Sequence, residues 1–206
     1  MRTLQELFDL CLSADYQQCG DTNYAVLREG NDVTLLFEHS RGEADWRRNL
    51  RFCRQRYTVT SSVGYRVHRG LLEAWEAVLP CLRKVLDDKT IRSVTVVGYS
   101  HGAGLTVICH DYLWFFRPEL REKLHSFAFA PPRVVAFSFS DEWSADRFFG
   151  LTTICNRGDL VTMLPPAFLG YTHVGRRLNV GKWGRYGPLK AHRAENYRKE
   201  LARLGL

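Results

Sequence analysis

The stretch at residues 93–109, SVTVVGYSHGAGLTVIC, constrains this chain more than any other. It opens on the β-branched apolar run Val94 to Val97, the pattern of a buried strand. The run ends in Gly98-Tyr99-Ser100-His101-Gly102, which fits G-x-S-x-G, and a helical pattern follows over 103–116. Strand, Gly-flanked turn and helix together predict a nucleophile elbow. In that device a serine sits on a sharp, strained turn with its Oγ raised above the end of a sheet. Gly98 and Gly102 leave room for the neighbouring strand and helix, where a Cβ would clash. The helix that follows turns its N-terminus toward the site, which favours a developing oxyanion.

The rest of the chain supplies elements to surround that turn. Near the start, Leu4, Leu7, Phe8 and Cys11 share one face of an amphipathic helix pattern. Residues 23–28 and 33–37 read as strands joined by the turn signal Gly30-Asn31-Asp32, a hairpin at a sheet edge. Residues 43–54 read as partly helical, and 57–60 as a strand segment that Gly64 breaks. A helix is expected over 71–86, with Leu72, Trp75, Val78, Leu79 and Leu82 on one face and a kink or break at Pro80. Residues 124–130 and 151–156 read as further buried strands, and 171–180 as a last extended segment. A Gly-rich linker spans 181–190, and a charged helix closes the chain from His192 to Leu204. Strands alternating with helices predict an α/β fold, a mostly parallel central sheet with helices on both faces. A length of 206 residues fits one domain, 1–206.

Composition removes several function classes. With 45% hydrophobic and 25% charged residues, the chain has the make-up of a soluble globular protein. Its six Cys, at 11, 19, 53, 81, 109 and 155, form no C-x-x-C pair, which argues against a zinc ribbon or a thioredoxin-type site. Cys109 and Cys155 fall in apolar runs and read as buried thiols. No apolar run is long enough to span a membrane. Glu6 and Asp9 interrupt any signal-peptide core, so a reducing, cytoplasmic compartment is expected. The formal charge of +7 fits either an anionic partner or solubility alone. Nucleic acid is set aside as a partner, because no binding motif appears and, apart from Trp46 and Tyr57, the basic residues are not interleaved with exposed-looking aromatics. No metal or organic cofactor is expected.

A serine hydroxyl is a weak nucleophile until a base takes its proton, and a carboxylate must hold that base in the right tautomer. In folds built on a nucleophile elbow the order along the chain is Ser, then Asp or Glu, then His. Asp159 fits the second place, just after the strand at 151–156, although Gly-Asp is also a common turn dipeptide. Asp111, Asp141 and Asp146 lie in helices or charged loops and are worse placed. Two histidines follow Asp159. His192, after the Gly-rich linker, can be carried over the site and is favoured; His173, on the extended segment, is the alternative base. For the oxyanion, one donor is the backbone N–H of His101, the residue after Ser100. The second should come from the loop after an earlier strand, where Ser40 lies.

Six segments in this order resemble the class 3 lipase family, the fungal-lipase-like branch of the α/β-hydrolases. The elbow is similar to the family's G-H-S-L-G-G. Leu36-Phe37-Glu38-His39-Ser40, followed by Asp45-Trp46-Arg47-Arg48-Asn49-Leu50, resembles F-R-G-[ST] with W-x-x-D-L after it. Val67-His68-Arg69-Gly70-Leu71 resembles V-H-x-G-F, and FAFAPPRV, residues 127–134, resembles T-F-G-x-P-R-V. Asn156-Arg157-Gly158-Asp159-Leu160-Val161, running on to Leu164-Pro165-Pro166, resembles the N-x-x-D-x-V-x-x-L-P-P that carries the family's Asp. HRAENY, residues 192–197, resembles the closing H-x-x-Y region that carries its His. The likeness covers residues 32–197 or so. It departs at Tyr99, where the family has His, at His101 and Ala103, and at Glu38-His39, which stand for Arg-Gly.

The resemblance implies an α/β-hydrolase fold with a Ser100-Asp159-His192 triad and an oxyanion hole from Ser40 and His101. It implies hydrolysis of a carboxylic ester, a lipid or a small-molecule ester, through an acyl-enzyme. Acyl transfer by the same intermediate, or a hydrolase-fold protein that binds lipid or a partner without catalysis, are the rival readings. The family's apolar lid segment corresponds here to residues 47–68, which carry Arg47, Arg48, Arg51, Arg54, Arg56 and Arg66. Those side chains suit an anionic headgroup or a solvated face, and peripheral membrane contact stays open.

Overall fold

In the computed structural model, residues 2–39, 53–58, 64–136 and 145–206 are described. Helix α1 (Leu4–Ser13) starts on a capping box: the Thr3 hydroxyl accepts from the Glu6 N–H, and the Glu6 carboxylate accepts from the Thr3 N–H. Strands β1 (Gln17–Cys19), β2 (Thr22–Glu29) and β3 (Asp32–Phe37) follow as an antiparallel edge, with the expected turn at Gly30 and its φ of 65°. Then come β4 (Arg54–Thr58), β5 (Gly64–His68), helix α2 (Arg69–Leu86), β6 (Ser93–Tyr99) and helix α3 (His101–Phe116). The chain continues through β7 (Leu124–Phe129), β8 (Val135–Ala136), β9 (Leu151–Asn156), β10 (Tyr171–Thr172) and β11 (Arg176–Val180). It closes on helices α4 (Pro188–Ala191) and α5 (Ala194–Leu204).

The central sheet has seven strands in the order β1-β2-β3-β6-β7-β9-β11. Every pair from β3 to β11 is parallel, so the α/β expectation holds. Parallel strands need both faces covered. One face packs Leu36, Val97, Phe129, Ile154 and Val180 against Leu7, Phe8 and Cys11 of α1 and Tyr197 and Leu201 of α5. The other packs Val33, Val94, Val96 and Leu124 against α2 and α3, with Trp75, Val78 and Leu82 at the centre.

Four local expectations change. Gly64 does not break a strand; it begins β5, opposite Thr58 in an antiparallel register. A second, four-stranded antiparallel sheet of order β10-β8-β5-β4 forms beside the first. Helix α2 runs through Pro80 without a break, because Pro80 lies on the exposed side and the freed carbonyl of Glu76 can meet water. The extended segment at 171–180 divides into β10 and β11, which belong to different sheets. Gly175 makes the division at φ 76°, pressed so close to β9 that a Cβ would stand 2.5 Å from Leu151 O. The helix expected over 43–54 lies outside the described residues, apart from Cys53 and Arg54.

Cys19 on β1 and Cys81 on α2 form a disulfide across a sequence separation of 62 residues, which ties the sheet edge to the helix layer. Cys11, Cys53, Cys109 and Cys155 are free, and Cys109 and Cys155 are buried. Among the described residues no helix is long and apolar enough to cross a membrane.

Candidate active site

The turn between β6 and α3 carries Ser100 at φ 57°, ψ −118°, a region that non-glycine residues avoid. Its neighbours enforce that conformation. The Ser100 N–H donates to Phe129 O on β7 at 2.9 Å, and the Ser100 carbonyl accepts from Ala103 N–H at 3.1 Å. The helix can come this close only because of the two glycines. A Cβ on Gly98 would stand 2.2 Å from Gly102 O, and one on Gly102 would stand 2.2 Å from Phe37 O. Ser100 is thereby fixed at the carboxyl ends of the parallel strands.

Asp159 follows β9 on the turn that Gly158 opens at φ 87°. Its carboxylate is wholly buried, and three donors meet it. Val161 N–H donates to Oδ1 at 2.9 Å, Tyr197 Oη donates to Oδ2 at 2.8 Å, and His192 Nδ1 lies 2.9 Å from Oδ2. A carboxylate only accepts, so Nδ1 carries the imidazole proton and Nε2 presents its lone pair. That lone pair faces Ser100 Oγ at 2.9 Å. Ser100, His192 and Asp159 thus form one hydrogen-bonded line assembled from three segments far apart in sequence.

His192 sits between α4 and α5 and does not begin the closing helix, which corrects the expected start of that helix. The linker before it is gripped at three consecutive carbonyls. Asn196 Nδ2 donates to Lys190 O at 2.8 Å, Asn156 Nδ2 donates to Ala191 O at 2.9 Å, and Tyr99 Oη donates to His192 O. The Tyr99 ring also stacks on the His192 ring. Burial pushes the Tyr99 and Tyr197 phenols well above the usual tyrosine range, so both remain donors. Sequence reasoning missed Tyr99, Asn156, Asn196 and Tyr197 as supports of this site. The final Tyr of the H-x-x-Y likeness was a signal for Tyr197, the leading Asn of the N-x-x-D likeness one for Asn156, and the departure at Tyr99 one for that residue; Asn196 leaves none in the sequence.

His173 is not part of this line. Its Nε2 meets Thr162 O at 2.8 Å, and burial pulls its pKa down to about 4, so it is a neutral ring bonded to backbone. Asp111 is also buried, but it pairs with Arg147 at 2.6 Å and accepts from Tyr65 Oη at 2.9 Å. Asp146 lies in the short 3-10 helix Ala145–Phe148. Of the two expected oxyanion donors, His101 opens α3 directly after Ser100, while Ser40 lies outside the described residues. Asp141 also falls outside, as do Arg47, Arg48 and Arg51 of the basic segment at 47–68; within its described part Arg54, Arg56 and Arg66 are exposed on β4 and β5. A groove of about 1040 Å³ is lined by His125, Thr152 and Arg176 at the starts of the parallel strands, the end of the sheet opposite to Ser100.

The family model described as lipase (class 3) matches residues 34–169. A lipase of Rhizomucor miehei is 30% identical over 162 residues, which cover 75% of this chain and 44% of the relative. A secreted mono- and diacylglycerol lipase of Malassezia globosa is 26% identical over 159 residues, covering 72% of this chain and 49% of the relative. The chain thus spans about half the length of these curated relatives. The solved structure of Rhizomucor miehei triacylglyceride lipase superposes with a TM-score of 0.68 at 25% identity, covering 82% of this chain and 66% of that one. The cytoplasmic expectation does not stand: the Malassezia globosa relative is secreted, and the Cys19–Cys81 bridge is of a kind that persists under oxidising conditions.

Proposed function

The chain belongs to the class 3 lipase family, and on that footing we propose that it hydrolyses the carboxylic ester of a lipid or related acyl ester with Ser100 as nucleophile. His192 Nε2 takes the Ser100 proton as Oγ attacks the ester carbonyl, and a tetrahedral oxyanion forms. The imidazolium then gives its proton to the departing alcohol, which leaves an acyl-Ser100 ester. Water enters, His192 takes its proton, and the second tetrahedral intermediate collapses to the free acid as the imidazolium returns that proton to the departing Ser100 Oγ. Asp159 keeps Nδ1 protonated and offsets the charge that His192 acquires. His101 N–H and Ser40 are the donors proposed for the oxyanion. No step calls on a metal or organic cofactor.

The observation that carries this reading is the unbroken line Asp159 Oδ2–Nδ1 His192 Nε2–Oγ Ser100, 2.9 Å at each contact, ending on a serine at φ 57°. A fluorophosphonate probe tests it, because such a reagent reacts far faster with an activated serine than with an ordinary hydroxyl. The wild-type protein should be labelled and Ser100→Ala should not. Labelling that persists in Ser100→Ala, or none in the wild type, removes the reading. A chain-length series of p-nitrophenyl esters then sets the acyl preference, and Ser40→Ala should lower kcat by roughly 10²-fold with little change in KM.

A further inference from the structure

Between Asp159 and Glu195 the sequence contains no acidic residue. That stretch supplies the turn after Asp159, the linker, and His192 itself. Folding brings apolar side chains from it together in the open. Leu160 is 37% exposed, Met163 40%, Trp183 63% and Leu189 67%. They belong to one neighbourhood. Met163 N–H donates to Leu160 O at 3.0 Å, and Leu160 N–H donates to Pro188 O at 3.3 Å, next to Leu189. The Trp183 ring lies 3.8 Å from where a Cβ on Gly158 would stand, one residue before Asp159. Trp183 and Leu189 leave most of their apolar surface in water, and Leu160 and Met163 more than a third of theirs, at a cost in free energy that contact with an apolar phase would relieve.

Lys182, Lys190 and Arg193 are exposed between and beside these side chains, and Arg157 is exposed on the turn before Gly158. The carboxylates on these turns and on α5 do not cancel them: Asp159 is buried and bonded to His192. Glu200 is buried and bound to Arg185 and Arg203, and Glu195 is a single exposed charge in the first turn of α5. Trp and Leu set among Lys and Arg on glycine-bearing turns form a surface suited to insertion just below a layer of anionic headgroups.

We propose that the surface formed by Leu160, Met163, Trp183 and Leu189 with their flanking cations docks this protein on lipid bilayers that carry anionic headgroups. This rests on the reading that Ser100 acts on a lipid ester, and it adds the electrostatic character of the surface on which that ester is met. Apolar insertion holds the molecule, and the cations select the surface. Because the patch is continuous with the Asp159 turn and the His192 segment, docking brings the bilayer against the rim of the site.

The test is vesicle sedimentation with Ser100→Ala, so that hydrolysis cannot alter the lipid. Vesicles of phosphatidylcholine are compared with an equal mixture of phosphatidylcholine and phosphatidylglycerol. Binding to the mixture should be roughly tenfold tighter or more and should weaken with added salt. Lys182→Glu with Lys190→Glu should remove the preference. Trp183→Ala with Leu189→Ala should weaken binding to the mixture while leaving far-UV circular dichroism unchanged. Equal binding to both vesicles, binding to neither, wild-type behaviour of the charge variant, or tighter binding to an RNA oligomer than to the mixed vesicles each overturns the proposal. Fluorophosphonate labelling reads the other question separately: a protein that binds anionic vesicles but is not labelled loses the ester-hydrolysis reading and keeps the docking surface.

Discussion

The phenol ring of Tyr99 lies over the imidazole of His192, with centroids 5.4 Å apart and planes 20° apart, and its hydroxyl donates to the carbonyl of His192 itself. The residue just before the candidate nucleophile therefore holds the candidate base by both its side chain and its backbone. This is the position at which the class 3 pattern has His.

That grip has two separable parts. Tyr99→Phe keeps the stack and loses the hydroxyl, and kcat should fall about tenfold, the cost of one neutral hydrogen bond transmitted to the base. Tyr99→Leu loses both and should fall further. Steady-state kinetics on a soluble ester should show KM little changed in each variant; a rise in KM alone would make Tyr99 a substrate contact.

Tyr197 Oη donates to Asp159 Oδ2 and accepts from the Asn156 N–H at 2.8 Å. Tyr197→Phe strands a buried N–H and removes one of three donors to the carboxylate. Denaturant unfolding should show a loss of about 1–3 kcal/mol, and kcat should drop as well. A variant that loses stability but keeps full kcat would confine Tyr197 to the scaffold.

On the proposed mechanism Asp159 and His192 act as a unit. Asp159→Asn should lower kcat by roughly 10⁴-fold, and the double variant with His192→Ala should lose little beyond His192→Ala alone. His173→Ala should act on stability, since its ring is bonded to Thr162 O. Normal turnover in His192→Ala with no acyl-enzyme in His173→Ala would exchange their roles.

Gly102→Ala places a Cβ 2.2 Å from Phe37 O and 2.7 Å from Glu38 O, both backbone atoms that cannot move aside. It should cost about 3 kcal/mol or more and should disturb the elbow. Gly184→Ala is the contrast: φ is 76° but nothing lies within 4 Å, so only the strained backbone opposes it, at about 1 kcal/mol. Thermal melts of the two variants check the ordering.

Acid sensitivity should come partly from His110. It is buried between Ser126 Oγ at 2.8 Å and Arg147 O at 3.0 Å, and burial lowers its pKa to about 4. An unfolded histidine titrates near 6.5, so the unfolded chain binds this proton first as pH falls. The neutral ring's contribution is complete above about pH 6.5 and is lost progressively down to about pH 4. Between pH 6.5 and 5, where few carboxylates titrate, the fall in Tm should be shallower in His110→Gln. Parallel Tm curves for the two proteins would assign the acid loss elsewhere.

The alternation of apolar strand and amphipathic helix was enough to read the α/β class, and G-x-S-x-G between Val97 and Ala103 was enough to place Ser100 on its turn. Both are local: periodicity dictates which face of an element seeks the core, and glycine spacing dictates where backbone can approach backbone. Asp159 was legible for a similar reason, since a turn directly after a parallel strand opens at the end of the sheet where the elbow lies. The second sheet was not, because β8 and β10 have two residues each, too short for any period to register. Nor was the split at Gly175, which answers to the carbonyl of Leu151 on a neighbouring strand.

The choice between His173 and His192 marks the boundary. By itself the sequence determined that a serine elbow, a later Asp and a later His were present in workable order, because those are properties of local pattern and chain direction. Only the tertiary structure decided which histidine meets both Ser100 and Asp159. That depends on where the carbonyls of Lys190, Ala191 and His192 are held, and the donors that hold them come from Asn196, Asn156 and Tyr99. Two of those three lie far from His192 in sequence, and no spacing rule connects side chains that become neighbours only when the sheet has assembled.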